Sequence, residues 1–226
     1  MGDINQLTFI KEHISTFSGP FLEVGSKDYG TTQDLRSLFK SKGEYIGLDM
    51  EAGTGVDVVL DLTKDFKQVD TALGNIRFGA IFCFSVLEHC DNPFKMAENL
   101  TLLLKPGGMV CIGVPFSWQI HGYPNDYWRF TPEGLKKLFP SIKFDMSKST
   151  AATSNVNDFH IIDDDLGKIS FSYSKHKKSG HTMRGVSAKF LKMLSKIGIF
   201  SWLTGYRHLF APTGFIMIGK LEEPKT

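Results

Sequence analysis

The chain has 226 residues, with 26 Lys and Arg against 24 Asp and Glu, a net charge of +2, and 42% hydrophobic residues. That composition excludes a disordered chain, and the near-neutral balance argues against a wholesale nucleic-acid binder, which is usually strongly basic. At the usual ~150 residues per domain the length fits one compact domain, residues 1–226, carrying an insertion and needing no disulfide or metal staple. No apolar run approaches the ~18 residues of a membrane span. Met1-Gly2-Asp3-Ile4-Asn5-Gln6 lacks the basic-then-apolar plan of a signal peptide. Three cysteines without zinc-like spacing, Cys83, Cys90 and Cys111, point to reduced thiols in a cytoplasmic protein.

In chain order, Phe21–Gly25 reads as a strand, Thr32–Lys42 as a helix, Tyr45–Asp49 as a second strand and Val56–Leu60 as a short third. Ala80–Phe84 is a fourth strand, followed by a helix over Asn92–Leu104 whose Pro93 suits a first turn. Lys105-Pro106-Gly107-Gly108 turns the chain into a fifth strand, Met109–Val114. Thr131–Phe139 reads as a helix with Thr131 as N-cap, and Ile142–Met146 as a strand. Residues 149–185 are polar and turn-rich, an insertion before the amphipathic stretch Val186–Phe200 and the closing strand Gly214–Leu221. Alternating strands and helices imply a parallel sheet covered on both faces, a Rossmann-like, doubly wound α/β fold. Ligands of such sheets sit beyond the carboxyl ends of the strands, so the chemistry is expected just after Val24, Leu48, Leu60, Phe84 and Val114.

Gly25-Ser26-Lys27-Asp28-Tyr29-Gly30 follows the first strand, where glycine lets a ligand approach the backbone. Lys27 stands at the second glycine of a G-x-G-x-x-G pattern, so the turn alone says little. The surrounding acids say more. Glu23 before the turn and Asp28 within it would repel a pyrophosphate and welcome an ammonium group. Asp49 ends the second strand, where a carboxylate can accept both ribose hydroxyls. Asp61 can accept from an adenine amino group, with Met50 and Leu62 as apolar walls. Each acid alone is compatible with a solvated loop; three at successive strand ends form a pattern.

The segments FLEVGSKDYG (21–30), YIGLDMEAGTGVDVVLDL (45–62), FGAIFCFSVLEHCDNPF (78–94), LLLKPGGMVCIGVPF (102–116) and HGYPNDYWRFTPEGL (121–135) together resemble a class I S-adenosylmethionine-dependent methyltransferase of the type-11 kind. The resemblance runs over residues 20–140. It implies a three-layer sandwich on a seven-stranded, mostly parallel sheet with an antiparallel last strand, and S-adenosylmethionine as cofactor. By the same resemblance Glu23, Gly25 and Ser26 line its methionine end, Asp49 holds the ribose, Met50, Asp61 and Leu62 flank the adenine, and Ser85 and Leu87 lie beside it. Lys27 and Tyr29 depart from the family's glycines.

Methyl transfer to a hydroxyl needs a base, and to an amine only a neutral nitrogen. His89, after the fourth strand, is one candidate, with a loop-fixing ring as the alternative. Glu88-His89-Cys90-Asp91 invites a metal reading, but adjacent positions do not converge as i, i+4 ligands do, so no metal is expected. His121-Gly122-Tyr123-Pro124-Asn125-Asp126-Tyr127-Trp128-Arg129-Phe130 follows the fifth strand and can roof the pocket. There His121, preferred, or Asp126 is the base, and Tyr123, Tyr127, Trp128 and Arg129 are candidate contacts to a small-molecule or glycan acceptor. The alternative is a structural loop in which Trp128 and Phe130 pack and Asp126 pairs with Arg129. The basic amphipathic stretch within 186–203 is either a surface helix over its own core or a peripheral membrane contact. The rival functions are a nicotinamide-dependent Rossmann oxidoreductase, a catalytically silent binding module, and an RNA methyltransferase. The last is disfavoured by charge and by Phe84-Ser85-Val86-Leu87 where an Asn/Asp-Pro-Pro-aromatic segment belongs.

Overall fold

A computed structural model describes residues 2–30, 34–122, 125–164, 166–167, 171–178, 182–199, 201 and 211–222. The chain divides into two compact units, Met1–Ile162 with Thr213–Thr226, and Asp163–Pro212. In the first unit α1 (Ile4–Glu12) precedes β1 (Phe21–Val24), β2 (Tyr45–Asp49), β3 (Val58–Val59), α2 (Phe66–Ala72) and β4 (Phe78–Phe84). Then come α3 (Pro93–Leu103), β5 (Leu104–Pro115), α4 (Pro132–Leu138), β6 (Ile142–Phe144), β7 (Thr150–Ala152), β8 (Phe159–Ile161) and β9 (Gly214–Leu221).

The strand order is β3-β2-β1-β4-β5-β9-β7-β8, with β6 also beside β9. β3 to β5 are parallel, and β9 runs against β5, β6 and β7. Among the described residues nine strands stand where seven were expected, and the register explains the difference. β6 and β7 descend the same edge of β9, from Ile142 opposite Leu221 to Ala152 opposite Gly214. They are one strand broken at Asp145, whose carboxylate accepts from the Ser147 amide at 3.0 Å and hydroxyl at 2.6 Å, a local turn that competes with the ladder. Ser149 Oγ re-enters by accepting the Ile218 amide at 3.3 Å. β8, the other addition, pairs with β7 inside the stretch whose polarity reads as an insertion.

One core joins Leu7, Phe9 and Ile10 of α1 and Leu35 and Phe39 to Phe21, Phe82, Phe84 and Ile218 of the sheet. The alternate strand positions Leu22, Val24, Ile81, Cys83, Val110 and Ile112 are buried as well, so both faces are covered, as a parallel sheet requires. Cys83, Cys90 and Cys111 are free and buried. The helix expected over Thr32–Lys42 is, in its described part, a single 3-10 turn at Arg36–Leu38. Asp34 draws the chain into local bonds there, its carboxylate accepting the Ser37 amide at 3.2 Å and its carbonyl the Ser37 hydroxyl at 3.2 Å. The second unit contains α5 (Tyr173–Lys178) and α6 (Thr182–Lys196). Among the described residues no helix is long and apolar enough to cross a membrane.

Asn99 of α3 is fully buried and donates to the carbonyls of Leu62 at 2.7 Å and Lys64 at 2.8 Å, tying down the loop after β3. Asn99→Ala orphans both carbonyls and is expected to cost about 1–3 kcal/mol. Urea unfolding should show a lower midpoint at unchanged slope; an unmoved midpoint refutes this anchoring role.

Candidate functional site

Parallel strands bring the ends of β1, β2, β4 and β5 to one rim. At the first, Gly25 takes φ +73°, and its amide and that of Ser26 donate to Leu48 O at 2.8 and 3.0 Å. A Cβ at Gly25 would strain this turn. Asp49 at the end of β2 accepts the amides of Lys27 and Glu51, each at 3.1 Å, one on each oxygen. A carboxylate has about four acceptor sites, so each oxygen keeps one for a vicinal diol. Lys27 does not fill the turn; its ammonium pairs with Glu51 at 2.6 Å and lies over the Tyr29 ring.

The other expected cofactor residues divide. Met50 is 67% exposed and free to cover a ring. Asp61 spends Oδ1 on the Thr63 amide and hydroxyl and turns Oδ2 toward Lys64 at 3.4 Å, which leaves Oδ2 as its outlet toward an adenine. Leu62 is 1% exposed, a core residue rather than an open wall. Glu23, 3% exposed, accepts from the Tyr45 hydroxyl at 2.7 Å, and burial raises its carboxyl pKa. It braces the sheet beneath the turn instead of lining an open cleft. Ser26 is buried too, and its hydroxyl has no partner among the described residues. Leu87 is fully buried, whereas Ser85 is exposed at φ +53°, held by its amide to Gly113 O at 2.9 Å.

Beyond β4 two loops are laced together. Glu88 O accepts the amides of Tyr127 at 2.7 Å and Trp128 at 3.2 Å, and Cys90 O accepts Trp128 Nε1 at 2.7 Å. His89 Nδ1 bonds Asn125 O. This lacing sets the His89 and His121 rings edge to face at 5.0 Å. Asp126, its side chain 3% exposed, takes a two-point fork from Arg129 and accepts the His121 amide at 2.9 Å; its Oδ2 also lies 3.3 Å from His121 Nδ1. The Arg129 fork holds Asp126 well below the usual carboxylate range. Asp126 is therefore not a free base but the support of His121, and Arg129, bonded also to the carbonyls of Trp128 and Gln119, is not free for a substrate. Both corrections have one cause: at i, i+3 spacing Asp126 and Arg129 engage each other.

A cavity of about 360 Å³ opens between Ser85, Val114 and Pro115 at the ends of β4 and β5, Gln6 of α1, Glu88, Trp118 and His121. Its volume lies within the range of small-molecule sites. A second, of about 430 Å³, is lined by Trp118, Tyr127, Trp128 and Arg129 among others. Tyr123 lies outside the described residues. Glu88 is fully buried, neither carboxylate oxygen has a hydrogen-bond partner among the described residues, and burial pushes its pKa up to about 8. Burial also holds His89 below its ordinary range. The sequence reading missed Gln6, Trp118 and Glu88 as cavity residues. For Gln6 a signal existed: Asp3 and Gln6 form a capping box, with bonds of 2.9 and 2.8 Å, that starts α1.

No family model matches the chain. A ubiquinone biosynthesis O-methyltransferase of Actinobacillus pleuropneumoniae serotype 7 (strain AP76) is 33% identical over 60 residues, 26% of this chain and 26% of that protein. The chain thus matches about a quarter of that relative's length. Among solved structures, a SAM-dependent methyltransferase from Archaeoglobus fulgidus superposes with TM-score 0.55 at 18% identity, covering 95% of this chain and 92% of its own. The 1,6-didemethyltoxoflavin-N1-methyltransferase of Burkholderia thailandensis, bound to 1,6-didemethyltoxoflavin and S-adenosylhomocysteine, gives 0.52 at 12% identity over 96% of this chain and 77% of its own. The fold is that of the class I S-adenosylmethionine-dependent methyltransferases.

Proposed function

We propose that this protein is an enzyme that transfers the methyl group of S-adenosylmethionine to a hydroxyl of a small molecule or glycan. The observation that carries the reading is Asp49 at the end of β2, its two oxygens steadied by the Lys27 and Glu51 amides and each with an acceptor site left for a ribose hydroxyl. The donor set also matches the charge. The one cation in the glycine turn is paired with Glu51, so the turn suits a cationic sulfur amino acid better than the pyrophosphate of a nicotinamide dinucleotide. Met50 covers the adenine, Asp61 Oδ2 takes its amino group, and Gly25, Ser26 and Ser85 border the remainder, with Glu23 and Leu62 supporting from beneath.

When bound, the cofactor supplies an activated methyl: the acceptor oxygen forms the new C–O bond while the C–S bond breaks and its electron pair stays on sulfur. The protein aligns the acceptor and excludes water. The cavity beside Ser85 receives it, with Trp118, Tyr127 and Trp128 as the apolar and aromatic walls of the acceptor side. The acceptor's proton goes to His121, oriented by Asp126, with His89 in edge-to-face contact. Oxygen is favoured over nitrogen because the cavity holds groups able to take that proton, and the partial relative is named as an O-methyltransferase.

Calorimetric titration should show one equivalent of S-adenosylhomocysteine and no heat with NAD. Asp49→Ala should weaken the former about 100-fold, the loss of two charge-assisted hydrogen bonds; wild-type affinity in that variant removes the ribose assignment. His121→Ala should lower turnover of a labelled methyl donor with an accepted substrate about 10²–10⁴-fold at unchanged cofactor affinity. Full turnover would dismiss it from proton transfer.

The second unit supports peripheral contact with an anionic membrane. Met183, Val186, Phe190, Met193 and Ile197 are all more than half exposed and form one helical stripe along and just past α6, flanked by Lys189, Lys192 and Lys196. The 202–203 part of the expected contact lies outside the described residues. Co-sedimentation should recover more protein with anionic than with neutral liposomes, and equal recovery overturns this contact.

A further inference from the structure

We infer that Glu88, His89 and His121 form a binding site for a divalent transition-metal ion, with its open positions facing the acceptor cavity. One ligand atom from each lies within 4.8 Å of the others, and His89 Nε2 is 3.8 Å from Glu88 Oε1. Metal–ligand bonds of 2.0–2.2 Å in tetrahedral geometry set ligand atoms roughly 3.3 Å apart, a distance that small side-chain rotations reach. The set is two imidazoles and one carboxylate, the donors of zinc and non-haem iron sites.

Three features of the surroundings point to a bound cation rather than a chance meeting. Glu88 is fully buried, yet both its carboxylate oxygens lack a hydrogen-bond partner among the described residues. A buried acid that is ionised is otherwise paired, bonded or metal-bound, since leaving its charge bare is costly. Each histidine has its other nitrogen engaged as metal-bound imidazoles do. His89 Nδ1 meets Asn125 O, and His121 Nδ1 lies 3.2 Å from Gln119 O and 3.3 Å from Asp126 Oδ2. Nε2 of both rings is left to bind. Finally, Glu88 and His121 line the 360 Å³ cavity, so a ligand of the ion can be an acceptor hydroxyl or a pair of vicinal hydroxyls.

The site stands on its own geometry, whereas its part in catalysis rests on the methyl-transfer reading above and recasts His121 as a ligand in the loaded protein. His121 arrives from another loop, 32 positions on from His89, so this convergence does not depend on the i, i+4 spacing of a helical site.

The test uses the full-length protein treated with a chelator and dialysed. Calorimetric titration with zinc should show one equivalent, and cobalt should give a visible absorption band of a nitrogen- and oxygen-ligated ion. Glu88→Gln and His121→Ala should each abolish the band. Asp126→Asn, which keeps all three ligands, should weaken zinc about 10–100-fold through its support of His121. S-adenosylhomocysteine affinity is measured on the same samples and should be unchanged, which separates this inference from the proposed function and shows that the variants are folded. No stoichiometric uptake, or uptake undiminished in both ligand variants, overturns the site even when the nucleoside still binds.

Discussion

The carbonyl oxygen of Glu88 accepts two successive amides, those of Tyr127 and Trp128, and the polar side of the cavity depends on that junction. Parallel strands guarantee that the loop after β4 lies at the ligand rim, but nothing in sheet geometry requires residues 121–130 to meet it. Two further bonds close the contact, Trp128 Nε1 to Cys90 O and His89 Nδ1 to Asn125 O, while Asp126 accepts the His121 amide within the second loop. Because most of the acceptors are backbone carbonyls, the loops are registered by main chain rather than by exchangeable side-chain pairs. That leaves Nε2 of His89, Nε2 of His121 and the Glu88 carboxylate as the groups not consumed in building the loops.

The opposite side of the rim is organised by Asp49 in a similar way. One carboxylate joins the loop after β1 to the loop after β2 through the Lys27 and Glu51 amides. Lys27, where the family that the sequence resembles carries glycine, is accommodated because its long stem lies along Gly53, where a Cβ would meet Lys27 Cγ at 2.9 Å. The charged end reaches Glu51. The bulkier turn residue is thereby held between Gly53 and Glu51. Here a surface ion pair of little energetic weight still matters, because it sets which way a side chain points.

The elements legible in the sequence are those with strong periodicity and clear punctuation. β2 and β9 appear at their expected bounds, and Asn92 and Thr131 cap α3 and α4 as their sequence positions suggest. α1 escaped because its apolar residues serve a short helix whose signal is the Asp3–Gln6 box rather than amphipathicity. β7, Thr150–Ala152, and β8, Phe159–Ile161, escaped because strands of three residues are too short to show a period inside a polar stretch. For the site, the acids at strand ends were visible one by one, yet sequence could not tell an acid that faces a ligand from one that faces its neighbour. Glu23 turns to Tyr45 and Asp126 to Arg129. Glu88 shows the reverse, an acid beside a histidine that is fully buried with no hydrogen-bond partner for its carboxylate among the described residues.

Asp126 and Arg129 also explain how two carboxylates can sit near one cavity. An ionised Asp126 left unpaired would set a bare negative charge near the buried Glu88 carboxyl and raise its pKa further. The Arg129 fork cancels that charge and fixes Asp126 in its ionised form, which keeps it an acceptor for the His121 amide. Its Oδ2, 3.3 Å from Nδ1 of the same ring, then favours the proton on Nδ1 and the lone pair on Nε2. The same tautomer serves a proton acceptor and a metal ligand, so the Asp126–Arg129 pair is needed under either role. Glu88 suits either role as well: ionised, its carboxylate stabilises an imidazolium formed beside it and can equally serve as a ligand of a cation.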